Sequence, residues 1–165
     1  MSLARIKPCF RFDSSQRELR MLLEYVKTRY SIGDLCYEDK RIINPLIESF
    51  DSLKYIGLEN IEGTTGKIIE TQTSDVRSSC YYFSKNHILY SKLRPYLNKV
   101  AVPDFDGKCT MELVPLLPRT GVSRRYLALL LRKPQIVDLA MKEKTGARMP
   151  RVNIEKIIKH MPFRG

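Results

Sequence analysis

No uninterrupted apolar run in this chain exceeds six residues. The longest, Tyr126 to Leu131, falls far short of the ~20 residues needed to cross a bilayer. The chain therefore carries no transmembrane helix, and its fold must be assembled from short apolar segments. With 165 residues it is sized for one domain, and 43% apolar content suffices for a packed core. The N-terminus lacks the apolar core of a secretory signal. Cys9, Cys36, Cys80 and Cys109 stand too far apart for a CxxC metal pair or a disulfide framework. Reduced thiols in a cytoplasmic protein are the expectation.

Residues 14–28 predict a helix, capped by Ser14 or Ser15, with Leu19, Leu22, Leu23 and Val26 on one face. Segments 31–36 and 53–58 read as strand or turn around Gly33 and Gly57. Residues 62–79, rich in Gly, Thr and Ser, read as a loop excursion with a short strand at 67–69. The middle of the chain reads as β structure. A strand is expected over 87–93, and 99–102 with 108–113 suggest a hairpin across Pro103-Asp104-Phe105-Asp106-Gly107. The last third is helical by its punctuation: Ser123 caps 124–133, Pro134 opens the next helix, and Gly146 is expected to end it. Asn153 caps a helix with Ile154, Ile157, Ile158 and Met161 on one stripe. These elements predict an α+β fold, a single globular domain with a twisted, mostly antiparallel β-sheet and C-terminal helices.

Charge is where function first shows. Residues 1–83 hold 12 basic and 12 acidic side chains, whereas residues 84–165 hold 17 and 6 and so carry the whole net charge of +11. A field gathered on one half of a domain favours a polyanionic partner such as nucleic acid. A solvated basic surface is the plain alternative. Catalytic signatures fail one by one: no phosphate loop, no GxSxG elbow and no Cys-His pair is present. His87 and His160 are too few and too separated for a metal site, and read as strand-edge and helix-surface residues. Asp104, Asp106 and Lys108 resemble a nuclease triplet, but the acids lie within one tight turn. No catalytic residue, metal or cofactor is expected.

Two stretches carry binding chemistry. In Ile88 to Lys99, the cations Lys92, Arg94 and Lys99 interleave with Tyr90, Tyr96 and Asn98, and Pro95 is expected to hold Arg94 extended. Such cations can grip phosphates, and Arg or Asn can read base edges. Equally, Tyr90, Leu93 and Leu97 could be core and the charges solvating. The second stretch, Lys142 to Asn153 with Arg148 and Arg151, is a Gly- and Pro-constrained basic loop leading into a helix N-terminus. It is also compatible with a plain connector.

The ordered blocks YIGLENI (55–61), ILYSKLRPYLNKV (88–100), CTMELVPL (109–116) and TGARMPRVN (145–153) resemble a target recognition domain from the DNA specificity subunit of type I restriction-modification systems. The resemblance spans about residues 31–162. It implies a non-catalytic module that reads one half of a bipartite site on double-stranded DNA and directs partner modification (methyltransferase) and restriction subunits, with no role for a membrane. Residues 1–30 are expected to be an N-terminal helical segment, 31–162 the recognition domain, and 163–165 the start of a truncated spacer. A full subunit holds two such domains, so this chain is expected to be a truncated piece or a half-subunit. Lys92, Arg94, Lys99 and Arg151 are the expected phosphate contacts, with Tyr96, Arg148 and Asn153 beside them. The resemblance puts base reading in variable loops, here Thr64, Thr65, Lys67, Gln72, Arg77, Tyr81 and Tyr82. A DNA-processing enzyme fragment, such as a nuclease or methyltransferase piece, and a protein-interaction module are the rival readings.

Overall fold

The structure, a computed structural model, describes residues 31–44, 52–69, 76 and 78–159. The expected helix over 14–28 lies outside these residues, as do Gln72, Arg77, His160 and Met161.

Among the described residues eight short strands form two four-stranded sheets. The first joins β1 (Cys36–Glu38), β5 (Ile88–Ser91), β6 (Val100–Ala101) and β8 (Leu113–Pro118) in the order β1-β8-β5-β6, all antiparallel. The second joins β2 (Ile42–Ile43), β3 (Lys54–Ile56), β4 (Cys80–Phe83) and β7 (Gly107–Thr110) in the order β2-β4-β7-β3, with only β3 and β7 parallel. Helices follow: α1 (Arg124–Leu131), α2 (Pro134–Lys142) and α3 (Ile154–Ile158). Between α2 and α3, β9 (Lys144–Thr145) and β10 (Arg151–Val152) make a separate antiparallel ribbon.

Side-chain alternation explains the layering. Ile88, Tyr90, Val114 and Leu116 pack with Leu127, Leu131, Ile136 and Ile157 of the helices. Their neighbours Leu89 and Leu113 pack instead with Ile56, Phe83 and Cys109 of the second sheet. The first sheet is thus covered on both faces, which is why all four residues of β5 are buried. Cys36, Cys80 and Cys109 are free, buried thiols, and burial pushes that of Cys36 up to about 12. Among the described residues no helix is long and apolar enough to cross a membrane.

The α+β class holds, with the sheet divided in two. The expected hairpin across 103–107 does not form: β6 lies in the first sheet and β7 in the second. A turn of that composition serves equally well to carry the chain between layers, and distant partners fix which. Asp106 Oδ1 accepts from the Lys85 amide at 2.8 Å, and the Pro103 carbonyl accepts from the Arg124 guanidinium. The expected strand 108–113 likewise breaks at Met111–Glu112, where the chain passes back to the first sheet. The strand expected at 67–69 is reduced to a bridge between Ile61 and Ile68. Local caps were better guides. Ser123 Oγ accepts from the Tyr126 amide, Pro134 opens α2, and Asn153 Oδ1 accepts from the Glu155 amide at 3.0 Å. Gly146 does not end α2, which stops at Lys142; with φ +84° it turns the β9–β10 ribbon.

Candidate nucleic-acid interface

Three segments meet along one rim of the domain. The central one runs from Lys92 to Lys99. Arg94 does not take the extended backbone expected before proline; it sits in the left-handed region at φ 50°, ψ 63°, and caps a 3-10 turn over Pro95–Leu97. Asn98, also left-handed, closes the turn. On one side the turn of residues 62–67 docks through the Thr64 amide, which donates to the Asn98 carbonyl at 2.9 Å. On the other, the Arg94 amide donates to the Pro150 carbonyl at 2.8 Å, and Val152 donates to Lys92 at 2.9 Å. The blocks 88–100 and 145–153, far apart in sequence, are therefore adjacent in space.

Among the described residues the non-glycine residues with positive φ are Thr64, Arg94 and Asn98, and all three lie on this rim. Asn tolerates the left-handed region, whereas a β-branched Thr there is an outlier. Each such residue costs on the order of 1–3 kcal/mol, and strain of this kind gathers at functional sites. Arg94, Tyr96, Leu97, Thr64, Thr65, Arg148 and Met149 are all exposed here. Exposed guanidinium groups beside an exposed aromatic ring can hold phosphates and contact base edges or faces.

Other expected site residues are committed elsewhere. Lys99 Nζ donates to the Leu58 carbonyl at 2.6 Å, tying the central segment to the second-sheet side. Arg151 is exposed, and its guanidinium bonds Glu112 at 2.8 and 3.2 Å, which raises its pKa. The Asn153 side chain caps α3. Tyr81 is a correction: at 6% exposure it packs in the core between the sheets, because β4 alternation turns it inward. Tyr82 is half-buried with the Arg41 guanidinium 5.1 Å from its ring centre. Lys67 is exposed, and its backbone closes the 62–67 turn through the Glu62 amide.

The supporting roles of Asn60, Asn98 and Arg132 escaped the sequence reading, although Asn98 was singled out there. Asn60, 2% exposed, accepts from the Gly57 amide at 2.7 Å and donates to the Ile69 carbonyl at 3.2 Å. Asn98 Nδ2 donates to the Arg132 carbonyl at 3.0 Å, and Arg132 grips the Val100 carbonyl through Nε and Nη2 at 3.1 and 2.7 Å. Burial lowers the Arg132 pKa from its ordinary value. The only advance signal was the presence of Asn60 and Asn98 inside the conspicuous blocks.

His87 directly precedes β5, at the strand's end as expected, but is buried, 4% exposed. The Ser84 amide donates to Nδ1 at 2.9 Å, so Nε2 carries the proton and donates to Asp39 at 3.0 Å. Ser84 Oγ lies 2.9 Å from the same Nδ1. The Asp-His-Ser order resembles a nucleophile relay, yet a main-chain donor already fills the lone pair a general base would use, and the contacts close a tight turn. Among the described residues no group of three or more His, Cys, Asp or Glu could hold a metal ion.

No protein-family model matches the chain. It is 29% identical over 111 residues, 66% of its length, to the type I restriction enzyme EcoDI specificity subunit of Escherichia coli. It spans about a quarter of that relative, 24%. Its fold matches a chain from a structure describing complex assembly and conformational transition of the type I R-M system, with TM-score 0.63, 20% identity, and 78% of this chain covered against 35% of the other. The HsdS subunit from Thermoanaerobacter tengcongensis matches with TM-score 0.59, 21% identity and the same two coverages. In sequence and in fold, the chain resembles a target recognition domain of a type I restriction-modification specificity subunit.

Proposed function

We propose that this chain is a non-catalytic, sequence-specific DNA-binding module that reads one half of a bipartite duplex target and directs methylation and restriction by partner modification and restriction subunits in the cytoplasm. The observation that carries this reading is the gathering of Thr64, Arg94 and Asn98, all in left-handed backbone, onto one exposed rim. Strain held at one place by main-chain bonds is a pre-formed binding geometry. The likeness to specificity subunits supplies the partner class, and the net charge of +11 supplies the attraction to phosphate. Arg94 and Arg148 are the phosphate contacts of first choice, since Lys99 and Arg151 already hold partners within the fold. Residues 31–162 form the recognition unit in this reading.

Titrating a fluorescent duplex from low to moderate salt tests it. Log affinity should fall with log salt at about −0.9 per phosphate neutralised. Arg94→Ala should weaken binding to every sequence alike and flatten the slope by about one contact, while changes at Thr64 or Thr65 should alter which sequence is preferred. A flat salt response, or an Arg94→Ala protein that stays folded and binds as tightly as wild type, refutes the reading.

A further inference from the structure

Beside the 62–67 turn lies an open cleft of about 500 Å³. It is lined by Gly66, Lys67 and Ile68, by Val102, Asp104 and Phe105, and by Arg124 and Arg125 of α1. Its apolar lining, Ile68, Val102 and Phe105, is half-buried. Its rim is charged, with Lys67, Asp104 and Arg125 exposed. The cleft is braced. Arg124 donates to the carbonyls of Lys85 and Pro103, so α1 is fixed to the chain that carries Phe105. Phe105 is itself held, edge-on to Phe83 at 5.8 Å and with Lys54 Nζ 4.9 Å from its ring centre.

We propose that this cleft binds one unpaired nucleotide. Its volume suits a nucleoside monophosphate. A base has an apolar face that can lie on Phe105, Ile68 and Val102, and stacking on an aromatic ring tolerates any base. The phosphate belongs with the cations Lys67 and Arg125 and away from Asp104, which repels it. That orients the nucleotide with its base toward Asp104, whose carboxylate accepts hydrogen bonds only. Bases carrying an exocyclic amino group offer two N–H donors there against the single N3–H of thymine, and are therefore preferred over it. The cleft shares Gly66 and Lys67 with the turn that docks on Asn98, so a nucleotide leaving a duplex held on the rim has a short path into it. The nucleotide chemistry stands on the cleft alone; its origin in a DNA strand rests on the duplex reading above.

Calorimetric titration of the full chain with AMP, TMP, adenosine and inorganic phosphate tests the chemistry. AMP should bind at least about tenfold more tightly than either adenosine or phosphate, and more tightly than TMP. Arg125→Ala should remove the advantage over adenosine, and Asp104→Ala the advantage over TMP. Both side chains are exposed, so the variants should fold, which circular dichroism checks. AMP binding no better than phosphate, or unchanged in Arg125→Ala, overturns the proposal. A second arm compares a fully paired duplex with one carrying a single bulged adenosine. A gain of about tenfold for the bulge, lost in Arg125→Ala, identifies a strand nucleotide as the source; AMP binding without that gain identifies a free nucleotide. Failure of the paired duplex to bind counts against the duplex reading alone, because the AMP arm contains no duplex.

Discussion

Gly66 and Gly121 both sit at positive φ, +68° and +84°, but in opposite surroundings, which makes them a matched pair. A methyl group placed on Gly121 meets nothing within 4 Å. Gly121→Ala should therefore cost only left-handed backbone strain, about 1 kcal/mol. A methyl on Gly66 overlaps the Val100 carbonyl oxygen and the Arg132 guanidinium. Relieving that overlap means moving the turn off the Val100 carbonyl and pulling Arg132 away from it, where Arg132 makes contacts of 2.7 and 3.1 Å. Hydrogen bonds from a charged donor contribute roughly 1.5–3 kcal/mol, and for a half-buried guanidinium the lower half of that range applies. Gly66→Ala should thus lose about 3 kcal/mol against about 1 for Gly121→Ala. At about 3 °C per kcal/mol for a chain of this size, Tm should fall by about 9 °C and about 3 °C respectively. Thermal unfolding followed by circular dichroism reads both. Because the 62–67 turn displaced in Gly66→Ala carries Thr64 and Thr65, duplex selectivity should change in that variant and not in the other. Equal losses of stability, within about 0.5 kcal/mol, would show that the close approach of this turn to Val100 and Arg132 is not what the structure describes.

Lys99→Ala should act on stability before binding: it removes the shorter of two donors on the Leu58 carbonyl, leaving the Ile61 amide at 3.4 Å, and should cost about 1 kcal/mol, measured as a lower urea midpoint. An unchanged midpoint with weaker DNA binding would return Lys99 to the phosphate contacts. Thr64→Gly should relieve backbone strain and raise stability by up to about 1 kcal/mol while broadening sequence preference, as read by selection from a random duplex pool; a destabilised protein with intact selectivity contradicts this. Stability should also drop in alkali. Burial raises the Cys36 thiol from 9.0 to about 12 and pushes Cys109 up as well, so the folded state holds protons that the unfolded chain releases above pH 9. Stability is complete below pH 9 and is lost as pH rises toward the folded values. At pH 10 the two thiols together should cost about 3 kcal/mol relative to pH 8. Urea midpoints that do not move between those pH values refute the burial assigned to these cysteines.

What could be read from the chain alone was what depends on near neighbours. Ser123, Pro134 and Asn153 mark helix starts because a cap acts within three residues of itself. The unbroken burial of β5 was foreshadowed by the apolar run Ile88-Leu89-Tyr90. The division into two sheets was hidden, since Asp106 and Arg124 decide it through partners 21 residues away or more. Tyr81 looked like a loop residue because the polar excursion that starts at residue 62 gave no sign of where β4 begins. The rim was legible as composition and not as geometry: the blocks 88–100 and 145–153 stood out, but their meeting through Arg94 and Pro150 is a tertiary fact. The roles of Lys99 and Asn60 were likewise invisible, since each is bound to a backbone carbonyl that no pattern announces.

The bonds that assemble the rim have a consequence for how such a module changes over generations. Thr64 to Asn98, Arg94 to Pro150 and Val152 to Lys92 all join through main-chain amides and carbonyls. Any residue other than proline supplies the same amide, so the exposed side chains at 64 and 94 can be exchanged without removing the bond that places them, while Val152 stays fixed in the core. The exposed positions between, such as Thr65, Tyr96 and Arg148, carry still fewer obligations to the core. Inheritance of shape and inheritance of preference are thereby uncoupled. A lineage built on this scaffold can drift to a new target by ordinary point substitution, without passing through an unfolded ancestor.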